Sequence, residues 1–188
     1  ILGPNFNVKL IRTEKELGLG AARTLGSRLA KGSIIAFIDD DALADKEWIQ
    51  NIIEAFKKDY DIIGGLCIPF YYTSTPWWWD DRTLGFLVGI RNDCLLEKPI
   101  ARIFGCNLIA KKRVLEELGY FKRGLGRQEK KQYGGEDVLL LLRALQRGYK
   151  LAFDQKVIVY HKVKPKRLTL RYLLRRAYYS GASWRLMF

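Results

Sequence analysis

Apolar residues recur along the chain with two different periods, and the switches between them predict its elements. Residues 8–11 read as a short strand, and residues 17–30 as a helix whose positions Leu17, Ala21, Ala22, Leu25 and Leu29 share an apolar face, closed by Lys31-Gly32. Residues 34–38 form an unbroken apolar run, the mark of a strand covered on both faces. Strand, helix and strand in such quick succession imply a right-handed crossover and a parallel sheet.

Asp45 is the expected N-cap of a helix over residues 46–58, with Trp48, Ile49, Ile52, Ile53 and Phe56 turned inward. Residues 61–68 follow as a strand interrupted at Gly64-Gly65, after which residues 69–86 are aromatic and turn-rich with no clear period. Residues 100–110 read as one or two strands, residues 112–118 as a short helix, and the polar, glycine-rich residues 123–135 as a mobile loop. A strong helix over residues 136–147, with Val138, Leu141, Leu142 and Leu145 inward, stops at Gly148; strands at 151–153 and 157–160 follow. From residue 168 the chain is helical, basic and aromatic together. The pattern is that of an α/β domain over residues 1–161 with a basic helical extension over residues 162–188.

Composition narrows the class. With 48% hydrophobic and 28% charged residues, the 188-residue chain has the make-up of a folded domain rather than a disordered one. No apolar run approaches the roughly 18 to 20 residues that cross a bilayer, and no signal-peptide pattern opens the sequence, so the segment reads as cytoplasmic. Cys67, Cys94 and Cys106 are odd in number, show no C-x-x-C spacing and read as reduced packing residues. The net charge of +13 is uneven: from Lys162 to the end there are eight basic residues and no acid. Such a block needs either a great deal of water or an anionic partner, whether nucleic acid, phosphorylated substrate or anionic lipid.

Three patches carry candidate chemistry. Asp39, Asp40 and Asp41 directly follow the apolar run and repel one another unless cations offset them. They are either turn and cap residues or a site in which Asp39 and Asp41 share a divalent cation; hard oxygen ligands suit magnesium or manganese. Glu136-Asp137 follows Gly134-Gly135 at a helix start, where the dipole favours negative charge, and serves either as a cap or as a base behind a hinged loop. His161, the one histidine, ends a strand as the triplet does, and neutral imidazole is a good ligand for manganese-type ions.

Taken in order, GLGAARTLGSRLAKGSIIAFIDDDA, FGCNLIAKKRVLEELGYF and GGEDVLLLLRALQRGYKLAFDQKVIVYH resemble the family 2 glycosyltransferases of GT-A fold, over residues 7–68 and 104–161. The resemblance implies a mixed, mostly parallel central sheet flanked by helices, and transfer of a sugar from a nucleotide-diphosphate donor with inversion. It places the family's D-x-D carboxylates on Asp39 and Asp41, the first holding the donor's ribose or the metal shell and the second the ion that bridges the diphosphate. Its acidic pair falls on Glu136 and Asp137, the second being the usual catalytic base. His161 matches a position that completes the metal shell in some members, Arg23 an arginine of the donor-binding helix, and Asn107 a position lining the donor sugar. The implied cofactor is Mg2+ or Mn2+.

The chain departs from the family pattern in carrying Glu16 and Thr24 where asparagine is frequent, and in lacking the family's first strand, which marks it as a partial sequence. Ser183-Trp184-Arg185 does not complete the Q-x-x-R-W signature of processive synthases, which favours one sugar per encounter. The expected acceptor is a glycan or lipid-linked precursor. Trp77, Trp78 and Trp79 offer a sugar platform or interface anchor, and the tail's Arg171, Arg175, Arg176, Tyr178 and Trp184 resemble an interfacial helix at the inner face of an anionic membrane. Two other readings compete: a nucleic-acid-binding module, which leaves both acidic motifs idle, and a catalytically idle sugar-binding relative.

Overall fold

The computed structural model describes residues 7–88, 103–127 and 133–187. Its elements run α1 (Leu19–Leu29), β1 (Ile34–Ile38), β2 (Ala42–Ala44), α2 (Trp48–Phe56), β3 (Ile62–Tyr71), α3 (Asp81–Val88), β4 (Asn107–Lys111), α4 (Lys112–Glu117), α5 (Glu136–Gln146), β5 (Leu151–Val163), a 3₁₀ turn (Pro165–Leu168) and α6 (Leu170–Met187). Residues 100–102 of the predicted strand segment, residues 128–132 of the predicted mobile loop, and Cys94 lie outside the described residues.

Among the described residues five strands form one mixed sheet in the order β1-β4-β3-β5-β2. The α/β class and mixed sheet agree with the sequence, but the parallel share is smaller than expected: only β3 and β5 pair in parallel, and the other three described pairings are antiparallel. Residues 8–11 form no strand, with Val8 and Leu10 exposed; so short a segment is stable as a strand only against a neighbour. β1 is consequently an edge strand among the described residues rather than a central one. Its Ile35 and Phe37 are buried while Ala36 and Ile38 are exposed, so one face is covered and not two.

The sheet carries helices on both faces. Ile35, Phe37, Leu108 and Ala110 pack on α4 and α5 through Val114, Leu115, Leu140, Leu141 and Ala144. On the opposite face Ile109, Cys67, Cys106, Val157 and Val159 pack on Trp48 and Ile52 of α2. The adjacent residues Leu108 and Ile109 thus serve opposite cores, as the strand period of two requires. Cys67 and Cys106 are reduced and buried side by side, as expected.

Several helix faces are rotated from those the periodicity suggests. On α2 the buried residues are Trp48, Ile52 and Ala55, while Ile49 and Ile53 are exposed. On α5, Leu139, Leu140, Leu141 and Ala144 are buried and Leu145 is exposed, because the helix packs on the sheet and also reaches Leu125 and Met187. Asp45 is not the N-cap of α2, which is Glu47; its carboxylate instead accepts the Glu47 N–H at 3.0 Å in the turn before the helix. The predicted division at residue 161 falls inside β5, and α6 returns Leu173 and Met187 to the body of the protein. Among the described residues, no helix is long and apolar enough to cross a membrane.

The β3–β5 ladder contains the irregularity on which the site depends. Gly65 pairs with Asp154 but Leu66 pairs with Ile158, so β5 carries a bulge over residues 155–157 and runs on as one strand. Asn107 spans this offset. Its amide Nδ2 donates to the carbonyls of Leu66 and Val157, both at 2.9 Å, while its Oδ1 accepts from the Trp48 indole at 3.0 Å. Gly65 is needed beside it, since a Cβ there would lie 1.9 Å from the Val157 oxygen. Asn107→Ala removes three hydrogen bonds at a fully buried position, and at about 1 kcal/mol or more for each group left unsatisfied it is expected to destabilise the fold by about 3 kcal/mol or more in urea unfolding.

Candidate active site

The buried stripe of α1 is Gly20, Arg23 and Ser27, not the apolar set that the spacing suggested; Leu17 and Leu29 are exposed. Arg23 is buried because it has carboxylates to meet. One guanidinium nitrogen donates to Glu136 Oε1 at 2.8 Å and another to Asp39 Oδ1 at 2.9 Å. The guanidinium lies against the Gly105 backbone, where a Cβ would come within 2.3 Å of it, and over the Phe121 ring at 5.8 Å. Burial alone would lower the Arg23 pKa, yet the carboxylates of Glu136, Asp39 and Asp137 outweigh it and raise the value.

The three adjacent aspartates are thereby separated in function. Asp39 faces Arg23, Asp40 faces solvent, and Asp41 meets two cationic or potentially cationic groups of its own. Its Oδ1 lies 3.3 Å from His161 Nε2 and its Oδ2 accepts from Arg167 at 2.6 Å. The hydrogen bond from His161, followed by the attraction of the imidazole and of Arg167, holds Asp41 well below the ordinary carboxylate range against the opposing effect of burial. Backbone pairing sets this geometry: β2 begins one residue after the triplet, Ala42 sits opposite His161, and the Lys162 N–H donates to the Asp41 carbonyl at 2.7 Å.

Across the cavity, α5 begins at Gly135, whose φ of 87° lies in the left-handed region and whose Cβ would clash with Met187. Asp137 Oδ2 accepts the Gly105 N–H at 2.9 Å, and its Oδ1 accepts the Val138 N–H at 2.9 Å, so the carboxylate is fixed in direction. Glu136, expected beside it as a catalytic group, is only 4% exposed, and its Oε1 accepts from Arg23. Burial, together with the Asp137 charge, pushes Glu136 up to about 7 despite Arg23.

One cavity of about 1420 Å³ brings these groups together, with Asp39, Asp41, Glu136, Asp137, His161 and Arg23 on its wall. Asn107 is the exception. It was expected to line the donor sugar, but it is 0% exposed with its side-chain polar atoms engaged in the bulge, and so lies beneath the site as a structural crosslink.

Asp41 and His161 present a carboxylate oxygen and an imidazole nitrogen 3.3 Å apart. Neighbouring ligands of one octahedral ion lie about 3 Å apart, so the donor set and spacing suit a divalent ion of the manganese type. Among the described residues His161 Nδ1 is buried without a hydrogen-bond partner, which leaves Nε2 as the nitrogen directed at the site. Asp39, also expected at the metal, gives its Oδ1 to Arg23, and among the described residues no group of three or more such side chains is gathered.

Arg167 was not singled out as a site residue by the sequence. The signal was present in the acid-free basic run after His161, but that run reads equally as a surface tail. Ser183 was also missed; buried on α6, it accepts the Gly134 N–H at 2.9 Å and ties α6 to the loop before α5.

Because Glu136 holds its proton more tightly in the folded state than its ordinary 4.5, that state binds more protons between this value and about 7. Its contribution to stability is therefore complete at the acid end and lost as pH rises through about 7. The unfolding free energy of the wild type relative to Glu136→Gln is expected to fall across this window in urea titrations at stepped pH.

The family model described as glycosyl transferase family 2 matches residues 4–119, more than half of the chain. A glucosyl-dolichyl phosphate glucuronosyltransferase of Haloferax volcanii is 26% identical over 186 residues, covering 96% of this chain and 59% of the relative. Glycosyltransferase AglE of the same organism is 26% identical over 160 residues, covering 85% of this chain and 49% of AglE. The chain thus spans about half to three fifths of the length of these relatives. Among solved structures, mannosyltransferase PcManGT from Pyrobaculum calidifontis, in complex with GDP-Man and Mn2+, superposes with a TM-score of 0.60 at 18% identity, over 88% of this chain and 42% of that one. The fold is thus that of the GT-A glycosyltransferases, and by its sequence the chain belongs to glycosyl transferase family 2.

Proposed function

We propose that the chain forms the donor-binding and catalytic part of an inverting, metal-dependent glycosyltransferase that moves a sugar from a nucleotide-diphosphate donor to a hydroxyl of a lipid-linked acceptor. The observation that carries this reading is that the Asp41–His161 pair and the oriented carboxylate of Asp137 face one cavity from different elements. The similarity to an enzyme named for a dolichyl phosphate substrate, and to a mannosyltransferase crystallised with GDP-Man and Mn2+, supports the substrate classes.

Asp41 and His161 would hold Mg2+ or Mn2+, which supplies Lewis-acid stabilisation to the diphosphate leaving group. Asp39, held by Arg23, would take the donor's ribose or join the metal shell through its second oxygen. Asp137 accepts the proton of the acceptor hydroxyl as its oxygen bonds to the anomeric carbon. The bond from that carbon to the diphosphate oxygen breaks on the opposite side, and configuration inverts. The Gly105 and Val138 N–H groups direct Asp137 while leaving it lone pairs for this proton. Glu136 and Arg23 hold the start of α5 in register with Asp39.

Contact with an anionic membrane belongs to the same proposal. The outward face of α6 exposes Leu170, Leu174 and Tyr178 at helical spacing beside Arg171 and Arg175, a surface suited to lipid headgroups at about 1 kcal/mol per basic residue.

Two substitutions separate the roles. Asp41→Ala is expected to abolish manganese-dependent binding of UDP or GDP in titration calorimetry. Asp137→Asn is expected to keep that binding while turnover falls about 10²- to 10⁴-fold, the usual worth of a general base. Equal loss of nucleotide affinity in both variants would contradict the assignment.

A further inference from the structure

The cavity also has a basic wall. α6 turns Arg176, Ser180, Ser183 and Met187 toward it, residues four, three and four apart and so on one helical face. Arg176 is anchored there by its Nε–H, which donates to the Leu87 carbonyl at 3.3 Å. Arg127 joins the same wall from the segment after α4, its position fixed by the Leu19 N–H, which donates to the Arg127 carbonyl at 3.2 Å. Arg167 completes the wall from the 3₁₀ turn.

Three guanidinium groups drawn from separate segments of the chain converge on one cavity, although like charges gathered away from bulk water repel. The repulsion bears on Arg176: burial first, then the charges of Arg127 and Arg167, bring its pKa down to about 10. The three differ in their surroundings. Arg167 touches Asp41 and so belongs to the donor side. Arg127 and Arg176 both lie within electrostatic reach of Glu136, at the start of α5 beside Asp137, the side from which the acceptor hydroxyl must arrive.

We propose that Arg127 and Arg176 form an anion subsite on the inner face of α6 that takes the phosphoryl group of a phosphate-bearing amphiphilic acceptor. The inference rests on the acceptor reading above and deepens it: α6 would recognise the phosphate on its inner face while its outer face lies against the lipid surface from which the acceptor comes. Guanidinium suits this task because its fork donates two parallel hydrogen bonds to phosphoryl oxygens.

The test uses citronellyl phosphate and its alcohol, citronellol, as probes, with binding followed by the fluorescence of Trp184, which lines the same cavity. Wild type is expected to bind the phosphate at least tenfold more tightly than the alcohol. Arg176→Gln and Arg127→Gln are each expected to weaken phosphate binding about tenfold or more, while manganese-dependent UDP or GDP binding and the surface control Lys57→Gln stay at the wild-type level. Because Arg176 also holds α6 against α3, the Arg127 variant decides the matter if Arg176→Gln unfolds. Equal binding of phosphate and alcohol would overturn the proposal. So would variants that weaken nucleotide binding and spare citronellyl phosphate, since the wall would then serve the donor's diphosphate. Arginine-dependent binding of citronellyl phosphate by a protein that binds no nucleotide would preserve the subsite and refute the transferase reading; the converse would do the reverse.

Discussion

Arg23 is the buried cation to which the two halves of the site are tied. It reaches from α1 to Asp39 at the end of β1 and to Glu136 at the start of α5, residues 113 apart in sequence from it in the latter case. A charge at 8% exposure is tolerated only because these partners surround it, and breaking such a pair typically costs about 3–5 kcal/mol. Neighbouring choices follow from that one commitment. Gly20 and Ser27 keep the buried stripe of α1 small, Gly105 clears the space the guanidinium occupies, and Ser27 closes its own hydroxyl on the Arg23 carbonyl at 2.7 Å. The Gly105 N–H in turn directs Asp137, so the ion pair and the candidate base share a single backbone segment.

The second constraint is the bulge in β5. Without the offset at Gly65 and Leu66 the strand would not bring His161 opposite Ala42, and Asp41 would lack its imidazole neighbour. Asn107 makes the offset permanent by bonding to both strands and to α2. The adjacent carboxylates of the triplet coexist because the fold supplies separate cationic partners on separate elements, with water for Asp40.

These causes explain what the sequence made legible. Asp39, Asp41, Glu136, Asp137 and His161 stand out because carboxylates next to apolar runs are conspicuous, and the cavity does collect them. Hydrophobic periodicity does less well with α1, since a buried Arg23 looks like a solvent-facing residue until its distant partners are known. It reads β1 as covered on both faces because an apolar pentapeptide carries no record of what flanks it. The resemblance put Asn107 beside the donor sugar, and only the bulge across the sheet shows its side chain committed elsewhere. Arg167 was hidden in a run of basic residues whose individual directions depend on the 3₁₀ turn that follows β5. In each case the missing information is a long-range contact.

The central claim is that Asp41 and His161 form the metal end of a donor site while Arg23 keeps Glu136 out of the coordination shell. The most direct measurement is a crystal structure of the protein with Mn2+ and UDP or GDP, with data collected at the manganese edge. The account predicts an anomalous peak bonded to Asp41 and His161, with the Arg23 contacts to Asp39 and Glu136 intact. A peak bonded to Asp39 in place of Asp41, or to Glu136 with the Arg23 bridge broken, would contradict it.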